Sequence, residues 1–66
     1  MWHEIGQTAG LVYQYLETHP EASGLQVRSA LKITQTMFFL SVGWLCREGR
    51  VDLVYRDRSY WVTIKR

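Results

Sequence analysis

Residues 51–64 have the sequence VDLVYRDRSYWVTI, in which two runs of alternating apolar residues flank a short polar segment. Alternation with a period of two is typical of a strand that buries one face. A tight turn within residues 56–59 would pair Tyr55 with Tyr60 and Leu53 with Val62. The stretch therefore predicts an antiparallel hairpin. Six apolar residues share its inner face: Val51, Leu53, Tyr55, Tyr60, Val62 and Ile64.

Upstream of the hairpin, the apolar residues follow the period of an α-helix. The first predicted helix stops at His19-Pro20, because a residue that precedes proline avoids helical backbone angles. Ser23, followed three residues later by Gln26, predicts a capping box that opens a short second helix. This helix ends at a tight connection over residues 32–33. The apolar stripe of the first helix consists of Ile5, Ala9, Val12 and Leu16.

A third helix is predicted from Thr34, its N-cap, to about Arg47, with Gly49 as the glycine that ends it. We expect Leu45 and Leu53 to be buried where this helix meets the hairpin. The order of these elements is that of a winged helix-turn-helix. The sequence thus predicts one α+β domain over residues 1–66, with three helices followed by a two-stranded antiparallel wing. The inward stripe of the third helix consists of Phe38, Ser41, Val42 and Leu45.

Two motifs resemble a small bacterial winged-helix family of unassigned function. The first is Ile5-Gly6-Gln7-Thr8-Ala9-Gly10, and the second is the run from Gly43 to Gly49, which reads GWLCREG. The resemblance covers nearly the whole chain. It implies a winged-helix fold and a role in DNA binding that rests on the fold alone, with no known ligand or operator. A fold does not determine a function, so the site has to be argued from its residues.

The positive charge lies in the last two-thirds of the chain. Residues 25–66 hold all eight Lys and Arg residues against three carboxylates, a balance of +5, which favours polyanions. Gln35 can pair with adenine and the Thr36 methyl can touch thymine, although both residue types are also common where a helix starts. No Lys or Arg occurs within residues 33–46. The candidate DNA-binding residues are Lys32, Gln35, Thr36, Arg47, Arg50, Arg56 and Arg58.

A second class of function, a protein-interaction or self-association module, is favoured by the aromatic residues. Phe39 belongs to the core if the third helix is rotated, and otherwise marks a contact surface. Trp61 either shields the N-terminal segment at Trp2 or anchors a partner. Glycines within the first helix indicate that another backbone packs close to it. The candidate interface residues of the expected homodimer are Gly6, Gly10, Phe39, Val54 and Trp61.

Other classes of protein lack support in the sequence. No apolar run approaches the roughly 20 residues of a membrane helix, and the start does not resemble a signal peptide. Cys46 is the single cysteine, which favours a reducing cytoplasm and excludes an internal disulfide. No combination of Cys46 with His3 or His19 forms a catalytic or metal-binding pattern. We therefore expect a cytoplasmic protein that is not an enzyme, with no cofactor and no small-molecule ligand.

Overall fold

The computed structural model describes residues 1–65, which form three α-helices and one three-stranded antiparallel sheet. The predicted domain ends at Arg66, which is also the last of its cations. Arg66 lies outside the described residues. The strand order is β1-β3-β2, so that the hairpin lies beside a short upstream strand. This is the predicted α+β winged helix-turn-helix. The elements are α1 (Trp2–Thr18), β1 (Glu21–Ser23), α2 (Gly24–Leu31), α3 (Gln35–Arg47), β2 (Val51–Arg56) and β3 (Ser59–Ile64).

The strand β1 was missing from the prediction, and the two-stranded sheet was therefore wrong. Glu21 pairs with Thr63 and Ser23 with Trp61, while the buried Ala22 lies opposite Val62. Three residues are too few to show the period of two by which a strand is recognised. The pairing places the start of α2 beside the middle of the sheet.

The helix ends follow the predicted capping chemistry with one exception. The hydroxyls of Ser23 and Thr34 accept hydrogen bonds from the N–H groups of Gln26 and Met37, each at 3.1 Å. The side chain of Gln26 donates to the Tyr15 hydroxyl at 3.0 Å and does not return to Ser23, so only half of the capping box forms. Gly49 has the expected left-handed backbone, with φ of 72°.

The hydrophobic core lies where α1 and α3 pack against the sheet. The predicted stripes of both helices are buried, and Leu45 is 1% exposed as expected. Leu53 is 37% exposed, so the prediction that it is buried was wrong. The hairpin has the predicted register, but only the end of its inner face away from the turn is covered. The buried hairpin residues are Val51, Val62 and Ile64.

The tryptophans pack differently from the expectation. The Trp2 ring contacts Trp44, with centroids 5.9 Å apart, and it does not contact Trp61. Trp61 lies on the outer face of the sheet, where the Arg56 guanidinium stacks over its ring at 4.7 Å. Its indole nitrogen is buried without a hydrogen-bond partner among the described residues. Because α1 and α3 pack side by side, Trp2 is adjacent to α3 and far from the hairpin face that Trp61 occupies.

Candidate nucleic-acid interface

A groove of about 620 Å³ opens between the first half of α3, the turn end of the hairpin and the start of α2. We call it the wing groove. Gln35 and Phe39 line it from α3, and Leu25 and Arg28 line it from α2. The groove is positioned by the two helix N-caps and by β1, because these set where α2 and α3 begin beside β3. The hairpin contributes Tyr55, Arg58, Ser59, Tyr60 and Trp61 to its lining.

Three aromatic side chains form a continuous row along the groove. The ring of Phe39 packs edge-on against Tyr60 with centroids 5.0 Å apart, and Tyr60 contacts Tyr55 at 4.9 Å. Phe39 is half-buried because its other side packs against the core residue Phe38 at 5.1 Å. Tyr55 and Tyr60 are 62% and 42% exposed. The aromatic row, Phe39–Tyr60–Tyr55, therefore runs from the core out to the turn of the hairpin.

Two cations beside the groove have an unusual backbone conformation. Lys32, which ends α2, has φ of 55°, and Arg58 in the hairpin turn has φ of 62°. With Asp57 at φ of 52°, both central residues of this two-residue turn are left-handed. Such turns favour Asn-Gly or Asp-Gly. A long cation therefore occupies each of two positions where glycine is the residue of least strain.

The charges around the groove are free of acidic partners. Among residues 1–65, none of the four cations Arg28, Lys32, Arg47 and Arg58 forms a salt bridge with a carboxylate. Arg28 and Arg58 line the wing groove, whereas Lys32 ends α2 and Arg47 lies at the C-terminal end of α3. Unpaired guanidinium and ammonium groups keep their hydrogen-bond donors available for phosphate oxygens.

The remaining predicted cations lie on other surfaces. Arg47 is about 18 Å along the helix from Gln35, because α3 rises about 1.5 Å per residue. Arg50 stacks on the Tyr13 ring of α1 at 4.0 Å and approaches Glu48. Arg56 pairs with Glu21 at 3.0 Å on the outer face of the sheet. The wing groove thus brings together Gln35 and Arg58. Lys32 and Thr36 adjoin Gln35 along the chain but are not part of the lining, and Arg47, Arg50 and Arg56 lie on other surfaces.

The candidate interface residues are dispersed over three parts of the domain. Gly6 and Gly10 lie on α1, where no atom of another element comes within 4 Å of the position that a side-chain methyl group would occupy at either glycine. Val54 and Trp61 form a cross-strand pair on the outer sheet face, and Phe39 lies in the wing groove. The glycines are therefore not explained by close packing within residues 1–65.

A separate apolar surface lies between the start of α1 and the outer side of α3. Trp2 is 74% exposed although its ring contacts Trp44, and Leu40 beside them is exposed as well. Ile5, Gly43 and Arg47 complete a shallow depression of about 420 Å³. This surface was not predicted, because the one contact considered for Trp2 was Trp61, as one of two alternatives, and not α3.

Leu25, Tyr55 and Tyr60 are among the residues of the wing groove that were not assigned to a site from the sequence. Both tyrosines were assigned to the covered face of the hairpin from their alternation. The hairpin has six residues in each strand, and the covered part is shorter than the strands. The polar composition of residues 56–59 was the available signal, because a polar turn projects into solvent together with the residues next to it.

Among the described residues, no His, Cys, Asp or Glu side chain lines the wing groove. No group of three or more His, Cys, Asp or Glu side chains within residues 1–65 is arranged to hold a metal ion. Burial raises the pKa of the Cys46 thiol, and the nearby Asp52 carboxylate raises it further, so the reactive thiolate is disfavoured. None of the helices described here has the length and apolar character needed to span a membrane.

Comparison with known proteins agrees with this architecture. Residues 1–64 match the model of a family described as "Winged helix-turn-helix domain (DUF2582)". The chain is also 31% identical over 68 residues to the uncharacterized protein MJ1608 of Methanocaldococcus jannaschii, covering 98% of this chain and 96% of that protein. The match extends over all three helices and the sheet. The chain therefore belongs to this winged helix-turn-helix family, whose function is unassigned.

Proposed function

We propose that this protein is a cytoplasmic DNA-binding winged-helix protein with a regulatory or accessory role and no enzymatic activity. It contacts DNA with the N-terminal end of α3 and with the wing groove. The observation that carries the proposal is the left-handed backbone at Lys32 and Arg58. Both cations lie beside the end of α3 that a winged helix presents to base edges.

A left-handed conformation costs a residue other than glycine about 1–2 kcal/mol. Neither Lys32 nor Arg58 recovers this free energy through a salt bridge within residues 1–65. This conformation ends α2 at Lys32, with backbone hydrogen bonds to Arg28, and closes the hairpin turn at Arg58, and glycine would serve at either position with less strain. A strained residue that occupies such a position in place of glycine is a candidate for a functional role. We infer that attraction to phosphate offsets the strain, because this attraction supplies most of the affinity in protein–DNA complexes.

The arrangement of side chains supports a division of roles. Lys32 and Arg58, with Arg28 on the wall of the groove, contact phosphates and position the domain. Gln35 and Thr36 are exposed on the first turn of α3 and contact base edges. With so few phosphate contacts, the affinity is modest and falls as the salt concentration rises.

The test is fluorescence polarisation with labelled duplex DNA at about 20 mM salt, where phosphate attraction is weakly screened. Arg58→Ala is expected to weaken binding to every sequence, because a phosphate contact carries no sequence information. Arg56→Ala is the matched control, since Arg56 lies two residues away but pairs with Glu21 on the opposite face. Gln35→Ala is expected to change the preference between sequences. Absence of binding at this salt concentration would refute the proposal.

The apolar surface at Trp2 favours a second function, self-association as a homodimer. Trp2, Leu40 and Trp44 expose ring and aliphatic atoms next to one another, which is typical of contact surfaces. A dimer through this surface would leave the wing groove free for DNA. Sedimentation at high micromolar concentration is expected to give a dimer mass that Leu40→Glu reduces to the monomer mass. A monomer mass for the unmodified chain would exclude this function.

A further inference from the structure

The aromatic row in the wing groove offers ring faces that a duplex does not engage by stacking. Stacked base pairs present only their edges in the grooves, and their ring faces are covered by neighbouring pairs. Tyr55 and Tyr60 instead expose ring surface on a wall of the groove, and Phe39 continues that surface toward the core. Aromatic side chains of this kind stack on bases that are unpaired.

The charges of the groove fit a single phosphate backbone. Arg28 lies on the α2 side and Arg58 on the hairpin side, with the aromatic row between α3 and the turn. The only cation of α3 is Arg47 at its C-terminal end, so the exposed first half of the helix has none to contact the two backbones that border a major groove. The volume of about 620 Å³ is that of a site for a small ligand and admits a short stretch of one strand.

We propose that the wing groove binds an unpaired nucleotide strand, with bases stacked on Tyr55 and Tyr60 and phosphates held by Arg28 and Arg58. Gln35 lies at the same groove and offers its amide to the edge of a stacked base. The inference rests on the proposed function, because it takes nucleic acid as the ligand and names the form that this groove accepts.

The experiment measures binding of labelled single strands of about 12 nucleotides, within the usual size of single-strand sites, and of duplexes of equal length. Both are measured at about 20 mM salt by fluorescence polarisation. The single strand is expected to bind more tightly than the duplex. A strand of the same length built from abasic sites keeps the phosphates and is expected to lose at least about 5-fold in affinity, because stacking is removed. DNA and RNA strands are compared to identify the source of the strand.

Substitutions at Tyr55 separate stacking from the other contributions. Tyr55→Leu removes the ring and is expected to weaken single-strand binding by about 5-fold or more, whereas Tyr55→Phe keeps the ring and the affinity. At 62% exposure the residue contributes little to the core, and a thermal melt confirms that each variant is folded. If Tyr55→Leu melts early, the comparison of the natural and abasic strands on the unmodified chain tests stacking without altering the aromatic row.

The outcomes distinguish this inference from the proposed function. Tighter binding of the duplex, or equal binding of the abasic strand and the natural one, would overturn the unpaired-strand assignment and leave DNA binding intact. An equal loss in Tyr55→Phe and Tyr55→Leu would identify the hydroxyl as the contact and overturn stacking. Binding of the single strand alone would support this inference and refute the duplex contact proposed above, and binding of neither form would refute both proposals.

Discussion

Replacing Arg58 by glycine is expected to stabilise the domain and to weaken nucleic-acid binding. Arg58 is the second central residue of a two-residue turn and has φ of 62°, where glycine is the favoured residue. Its guanidinium lines the wing groove and forms no salt bridge within residues 1–65. The substitution therefore removes backbone strain and a phosphate contact at the same time.

The two effects have different sizes and opposite signs. Relief of the left-handed conformation is worth about 1–2 kcal/mol, from which the greater freedom of glycine in the unfolded chain subtracts about 0.5–1 kcal/mol. The net gain of about 0–1.5 kcal/mol raises the melting temperature of so small a domain by up to roughly 12 °C. Loss of one phosphate contact makes the negative slope of log affinity against log salt shallower by about 0.9 for duplex DNA.

Thermal melts and salt titrations of the same samples measure both effects. Asp57→Gly is the matched control, because Asp57 has the same left-handed backbone at φ of 52° but carries a negative charge. This variant is expected to keep both its stability and its affinity, because Asp is already a favoured residue at the first central position of such a turn. If Arg58→Gly binds nucleic acid as tightly as the unmodified chain, the reasoning that strain at Arg58 is retained for binding is refuted. If it melts at a lower temperature, the assignment of strain is refuted.

Three further outcomes follow from the packing. Leu45→Ala is expected to lower the free energy of unfolding by about 2–5 kcal/mol, whereas Leu53→Ala costs much less because Leu53 is partly exposed. Urea denaturation measures both losses, and equal losses would contradict the burial pattern. Gly24→Ala is expected to destabilise the domain by about 1 kcal/mol, because the added methyl group would lie 3.2 Å from the buried Phe38 ring. An unchanged melting temperature would show that the Phe38 ring moves to make room. Cys46 is expected to react with a maleimide more slowly in the folded chain than in urea, because the thiol stays protonated until the pH exceeds its raised pKa in the folded chain. Equal rates in the two conditions would contradict the raised pKa.

The helices and the hairpin were predictable because each carries a local signal. The stripes of α1 and α3, the caps Ser23 and Thr34, and Gly49 all depend on residues within four positions of one another. The register of β2 and β3 was equally local, since it follows from a two-residue turn. The strand β1 depends on pairing with residues 61–63, which no neighbouring residue indicates.

The candidate site was predictable only in part for the same reason. The cations and the exposed start of α3 were visible in the sequence, and they supplied Lys32, Gln35, Thr36 and Arg58. The pairing of Arg56 with Glu21 could not be predicted from the sequence, because it depends on β1. The aromatic row could not be predicted either, because alternation indicates which residues share a face but not how far a helix covers it.

The central position of β3 has a consequence for synthesis on the ribosome. β3 joins β1 to β2, yet it is translated after both of them. At about 5–20 residues per second, a nascent chain spends a short time with three helices and two strands that have no strand to pair with. Unpaired strands are templates for association with other chains. A chain that folds from its N-terminus during synthesis therefore cannot form its three-stranded sheet until β3 has left the exit tunnel.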